Sequence, residues 1–163
     1  MTFLDFGLVK RYRPEDVALF EALIQTFVVN HDVVAFRRLM EAHHVLRRDP
    51  TLSDHDVAGY FGHFYELVTD DRVFTIDPEY SSETVRMYFD AHSPYAHVTR
   101  AANVPPAFVI TQRINLGLIA VLGRLHATAN FRKIAEELWP FVAGPPSTPM
   151  GEAEATWLAD RVR

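Results

Sequence analysis

Val17, Phe20, Ile24 and Phe27 recur every three or four residues, with Leu23 and Val28 widening the same stripe, a spacing that dictates an amphipathic helix. Pro14 stands where its first turn begins, and Glu15 and Asp16 sit near the positive end of its dipole. Asn30 and His31 break the pattern. Asp32 is then placed to cap a second helix, with Phe36, Leu39, Met40 and His43 turned inward and Arg37, Arg38 and Glu41 in water. Beyond Asp49-Pro50, Ser53 with Asp56 three residues on reads as a capping box. It opens a third helix carrying Val57, Tyr60, Phe61, Phe64, Leu67 and Val68.

The same reading continues to the end of the chain. Val73 to Ile76 suits a short extended segment, Asp77-Pro78 a turn, and Ser82 the cap of a short helix with Val85, Met87, Tyr88 and Phe89. Pro105-Pro106 opens a long helix to about Ala127, and Gly117 inside it predicts close approach of another backbone. Asn130 caps a helix stopped by Pro140. Gly144-Pro145-Pro146-Ser147 is a linker, after which a terminal helix is expected to dock through Trp157. Only Thr2 to Phe6, an apolar run closed by Gly7, reads as a strand near the start. The expected architecture is mainly α with a short N-terminal β-strand: residues 1–144 form one helical body and 145–163 the linker and docking helix.

With 48% hydrophobic and 12% aromatic residues, the chain can bury a core and falls outside the disordered class. A net charge of -5, with Arg37-Arg38 and Arg47-Arg48 isolated from each other, argues against a nucleic-acid partner. The absence of cysteine excludes disulfides, thiolate metal sites and a cysteine nucleophile, in keeping with a cytoplasmic protein. The first residues lack the pattern of a secretory signal. The most apolar stretch, Phe108 to Leu125, is interrupted by Thr111, Gln112, Arg113, Asn115 and Arg124, so it reads as a buried core helix and not as a membrane span.

The chemistry is concentrated in Asp5-Phe6-Gly7. An aspartate at the end of a buried strand, followed by an aromatic residue and a glycine, is the arrangement with which kinases hold magnesium on nucleotide phosphates. Asp5 would supply the carboxylate, Phe6 would fix its direction, and Gly7 would allow the backbone geometry. Only six residues separate Gly7 from Pro14 and no Ala-Pro-Glu follows. That leaves no room for a peptide-docking activation segment, so a small molecule or lipid headgroup is the expected substrate class.

Two longer blocks carry a resemblance. Phe3-Leu4-Asp5-Phe6-Gly7-Leu8-Val9-Lys10, followed by Pro14-Glu15-Asp16, is the first. The second comprises Gln112-Arg113-Ile114-Asn115-Leu116-Gly117, Ala120-Val121-Leu122-Gly123-Arg124-Leu125, Ala127-Thr128-Ala129-Asn130-Phe131-Arg132 and Ala135-Glu136-Glu137-Leu138-Trp139-Pro140. Together they resemble the C-terminal lobe of the AarF/UbiB family of atypical kinases, from the Asp-Phe-Gly motif onward. The middle helices match weakly, and the tail after Gly144 is not covered. The resemblance implies a protein-kinase-like C-lobe, ATP and magnesium held between two lobes, and a link to isoprenoid quinone metabolism and membrane-associated lipids. Carried over by position, Asp5 would be the magnesium ligand, and Phe6 and Gly7 its neighbours in the nucleotide site. The family's nucleotide-covering loop, Lys-x-Gly-Gln motif, strand lysine and catalytic loop have no counterpart in these residues. An N-terminal nucleotide-binding lobe is therefore an expected partner, and the chain by itself is expected to bind no nucleotide tightly and to be inactive.

Two other readings use different residues. His43, His55-Asp56 and Asp90 occur in the order used by helical metal-dependent phosphohydrolases, although Asp56 already has a capping role and His43-His44 ends a helix. A helical binding module would instead use surface around Tyr60, Tyr65, Tyr88 and Tyr95. Glu136-Glu137 and Asp70-Asp71 read as solvated surface, since neighbours on a helix do not face one another.

Overall fold

A computed structural model describes residues 10–90 and 92–161. Asp5, Phe6, Gly7 and the expected N-terminal strand lie outside the described residues. The remainder is mainly helical. Helix α1 (Pro14–Ile24) continues into a π-helical turn, Gln25–Val29, which closes with the Asn30 amide on the Gln25 carbonyl at 2.9 Å. Helices α2 (Val33–Ala42), α3 (Asp54–Thr69), α4 (Pro78–Phe89), α5 (Ala96–Ala101), α6 (Pro106–Arg124), α7 (Phe131–Leu138) and α8 (Pro149–Arg161) follow. Two short strands, β1 (Phe74–Thr75) and β2 (Thr128–Ala129), pair antiparallel, with Phe74 opposite Ala129 and Thr75 opposite Thr128.

Three of the caps read from the sequence are in place. Asp32 accepts from the Ala35 amide at 2.9 Å, and Asn130 accepts from Lys133 at 3.1 Å. Ser53 and Asp56 exchange both bonds of a capping box. Ser82 is not a cap. Asp77 takes that role by accepting from the Tyr80 amide at 2.7 Å, with Pro78 at the first helical position, so α4 begins one turn earlier. The hydroxyl of Ser82 then bonds back to the Pro78 carbonyl. Strand β2 also ends the long helix before Ala127, because Ala127 supplies its carbonyl to the Ile76 amide.

The core lies where α1, the π turn, α2, α3 and α5 meet, around Phe27, Phe36, Met40, Leu46, Val57, Tyr60 and Val98. Phe27 and Phe36 lie 4.6 Å apart between ring centroids, and Phe36 meets Phe61 edge-on at 5.6 Å. Arg37 departs from the sequence expectation of a water-facing side chain. It is 17% exposed and donates to Glu41, to Asp54 and to the carbonyls of Asp49 and Leu52. One guanidinium thus ties α2 to the loop that leads into α3.

Three further expectations are corrected. Helix α6 is not a buried core helix: α4 packs along one side, while Ile114, Leu118, Val121 and Leu125 are more than half exposed on the other. A Cβ placed on Gly117 would meet nothing within 4 Å, so no backbone approaches it; the close approach is at Gly123, against Ser81 and the Asp77 carbonyl. The terminal helix does not dock through Trp157, which is 51% exposed and stacks under Arg161. Its start is held instead by Glu137, which accepts from the amides of Ser147 and Thr148, both at 2.6 Å, and from the Thr148 hydroxyl. That hydroxyl is the main cause of the lowered pKa of the Glu137 carboxyl.

Candidate functional site

An apolar groove of about 480 Å³ runs between α1, α3, α4, α6 and α7. Phe20, Leu23 and Ile24 come from α1, and Phe64, Leu67 and Val68 from α3. Leu116, Ile119 and Leu122 form the α6 wall, facing Ile134, Leu138 and Trp139 at the α7 end. The periodicity of α3 and α6 places these residues: each helix is apolar over more than one stripe, and the core covers only part of it.

No Asp, Glu, Lys or Arg lines the groove among the described residues. Its polar groups include His63, Thr111, Gln112, Asn115 and the phenols of Tyr65 and Tyr80. Thr111 shares a 2.6 Å hydrogen bond with the Tyr12 hydroxyl, which anchors the chain just before α1 to α6. Burial pushes the Tyr65 phenol up to about 12, and burial with the nearby Glu66 charge does the same for Tyr80. Both phenols therefore stay protonated at neutral pH. His63 stands on α3 with its ring centroid 6.3 Å from that of Tyr80. Its Nδ1 lies 3.7 Å from a Glu66 oxygen, and its Nε2 is buried without a hydrogen-bond partner among the described residues. A cavity of this size, apolar with a few convergent polar groups, has the character of a small-molecule site.

The residues singled out from sequence are distributed elsewhere. His43 ends α2 and His55 is exposed in the first turn of α3. Asp56 bonds Ser53 and lies 3.4 Å from His97, and Asp90 pairs with Arg86 at 3.0 Å. These side chains do not converge, and among the described residues no group of three or more metal-ligating side chains is placed to hold an ion. Tyr60 is buried and Tyr65 packs on Phe27 and Phe36, both on the groove wall, whereas Tyr95 lies over Gly59 of α3. The side chain of Tyr88, the fourth of that set, lies outside what the structure describes. Glu136 and Asp71 are engaged as well, with Arg132 and with Asn130.

A second surface feature adjoins the groove. Ile114, Gly117, Leu118, Val121 and Leu125 fall on one exposed face of α6. Helix Pro106–Arg124 is long and apolar enough to cross a membrane by length and composition, and 11% of its most apolar window is buried. Between Asp90 and Glu136 the chain has no acidic residue but carries Arg100, Arg113, Arg124, Arg132 and Lys133.

In comparisons with protein-family models, curated proteins and solved structures, nothing matches this chain.

Proposed function

We propose that this chain is the helical C-terminal lobe of an AarF/UbiB-type kinase-like protein, which by itself serves as a scaffold without phosphoryl-transfer activity. The observation that carries the reading is that the residues of the resemblance are those on which the fold depends. Gly123 sets the contact of α4 with α6, Asn130 caps α7, and Arg132 bonds carbonyls of three other positions. The longer block of the resemblance thus coincides with residues that fix contacts between elements, which supports the reading more than a tripeptide does. In the intact enzyme, Asp5 would hold magnesium on ATP supplied by a nucleotide-binding lobe, and the substrate would be a small molecule or lipid-linked. Phosphoryl transfer depends on positioning and distributed charge stabilisation, which a single carboxylate does not provide.

Residues 1–163 alone are expected to hydrolyse no ATP above the magnesium blank, and a nucleotide-binding lobe of the family supplied in trans is expected to form a complex that binds ATP. Saturable, magnesium-dependent hydrolysis by the chain alone, lost in Asp5→Ala, would overturn the scaffold reading. Failure of every such lobe to associate would count against descent from this family.

The exposed stripe of α6 favours a second property of the same lobe, peripheral contact with the cytoplasmic face of an anionic membrane. An apolar face flanked by Arg113 and Arg124, within a stretch free of acidic residues, combines the two attractions that hold a helix at a lipid interface. Vesicles of phosphatidylcholine with one-third phosphatidylglycerol are expected to sediment the chain, with binding weakened at least tenfold by Leu118→Glu plus Val121→Glu. Equal sedimentation of this variant would exclude α6 as the contact.

A further inference from the structure

The apolar groove has a buried floor and an exposed rim. Its floor reaches Phe36 and Met40, each 1% exposed, whereas Leu118 and Leu138, which also line it, are 54% and 77% exposed. Leu118 belongs at once to the groove and to the uncovered stripe of α6, so the interior is continuous with that stripe. The hydroxyls of Thr84 and Thr111 are satisfied within the fold, by the Tyr80 carbonyl and by Tyr12. Gln112 and Asn115, one turn apart on α6, line the groove with side-chain amides that have no partner among the described residues. Asn115 is exposed and therefore stands at the mouth. Arg113, between them in sequence, is exposed and likewise unpaired among the described residues. An apolar floor, neutral amide donors and then a cation follow the order of an acyl chain, its ester and a phosphate.

From this order we propose that the groove takes up one acyl chain of an anionic glycerophospholipid, which enters past Leu118 with its ester carbonyl beside the Gln112 and Asn115 amides and its phosphate beside Arg113. The proposal rests on the membrane contact of α6 and deepens it from adsorption to the capture of a single lipid. With no Asp, Glu, Lys or Arg lining the groove among the described residues, only hydrocarbon is buried and the headgroup stays outside. The volume of about 480 Å³ is sized for one ligand, which sets the stoichiometry at one chain per protein. The stretch between Asp90 and Glu136, free of acidic residues, favours an anionic headgroup over a neutral one.

Calorimetric titration with decanoyl, dodecanoyl and tetradecanoyl lysophosphatidylglycerol below their micelle concentrations needs no bilayer, so it reads the groove apart from the membrane contact. Saturable binding of one lipid per protein is expected, tightening about fourfold per added methylene. Glycerophosphoglycerol, the headgroup without a chain, is expected not to bind, and lysophosphatidylcholine of equal length to bind about threefold more weakly. Leu116→Trp, which fills the groove from the α6 wall, is expected to weaken the lysolipid at least tenfold. Ile114→Gln plus Val121→Gln, at positions outside the groove lining, should leave lysolipid affinity within about threefold while weakening vesicle sedimentation. The parent-chain measurements decide the matter whether or not Leu116→Trp folds, which circular dichroism reports. No saturable binding, more than one lipid per protein, affinity independent of chain length, or equal affinity for the choline lipid would each overturn the proposal. So would lysolipid binding kept in folded Leu116→Trp but lost in the glutamine pair, which would put the lipid on the outer stripe. Vesicle sedimentation without lysolipid binding would remove the groove site alone, and lysolipid binding without sedimentation would sustain that site and remove only the membrane contact.

Discussion

Arg132→Ala is expected to lower the unfolding free energy by roughly 3 kcal/mol, one of the largest losses from any single side chain outside the aromatic core. The guanidinium is 12% exposed, and one of its nitrogens points at the carbonyls of Val28, Val68 and Thr69 at 3.1 to 3.3 Å. Val68 and Thr69 end α3, and Val28 lies in the last turn of the π-helical segment. These are helix C-termini, where carbonyls lack intrahelical donors and the dipole is negative, so a single cation both satisfies and neutralises them. The Nε donates to Glu136 at 2.7 Å, and the planar group lies 5.5 Å from the Trp139 ring centroid. Alanine would leave partly buried acceptors unpaired and detach α7 from α3. Urea unfolding followed by circular dichroism measures the loss, which corresponds to a fall in Tm of about 6–12 °C for a chain of this size. Arg132→Lys should recover less than half, because an ammonium cannot keep the fork that reaches Glu136 and the carbonyls together. A loss under about 1 kcal/mol for the alanine variant would mean that water replaces the guanidinium without penalty.

The elements legible in the sequence are those specified locally. Asp32, Ser53 with Asp56, and Asn130 cap at the expected positions, because a cap involves a side chain and an amide three residues apart. Ser82 fails by the same logic: Asp77 and Pro78 give a stronger start five residues earlier, and a serine inside a helix can bond its own i−4 carbonyl. The exposure of α6 is not legible, since periodicity reports that a face is apolar and not whether another element covers it. Phe108 at its start is buried, whereas the equally apolar Ile114 and Leu118 are not. The tail departs from expectation for the same reason. The apolar character of Trp157 suggests docking, while the actual attachment is the Glu137 carboxylate, whose pairing partners lie ten and eleven residues away. His63 gives no signal at all. A single histidine among aromatics has no spacing pattern, and only the assembled helices bury its Nε2. Asp5-Phe6-Gly7 rests on sequence alone and lies outside the described residues.

Gly123→Ala should be as damaging as the arginine substitution, at roughly 2–4 kcal/mol, while Gly117→Ala in the same helix should stabilise by about 0.5–1 kcal/mol. The two glycines lie six residues apart on α6, so helix propensity predicts the same gain for both. Packing reverses the sign at one of them. A Cβ on Gly123 would fall on the Ser81 hydroxyl, 3.0 Å from the Ser81 Cβ and 2.9 Å from the Asp77 carbonyl oxygen. The hydroxyl cannot simply rotate away, because it is bound to the carbonyls of Asp77 and Ile119 and Ser81 is buried. The Asp77 carbonyl is fixed too, since it accepts the first amide bond of α4 from Ser81. Accommodation therefore requires α4 and α6 to part, which undoes the principal contact of α6. Pairing the substitution with Ser81→Ala removes the hydroxyl but leaves the carbonyl. The double variant should therefore recover about 1 kcal/mol relative to the sum of the singles, a coupling that a distant pair would not show. At Gly117 nothing approaches within 4 Å, and alanine gains helix propensity without cost. Equal effects of the two alanine substitutions in urea unfolding would show that the α4–α6 contact is looser than these distances require.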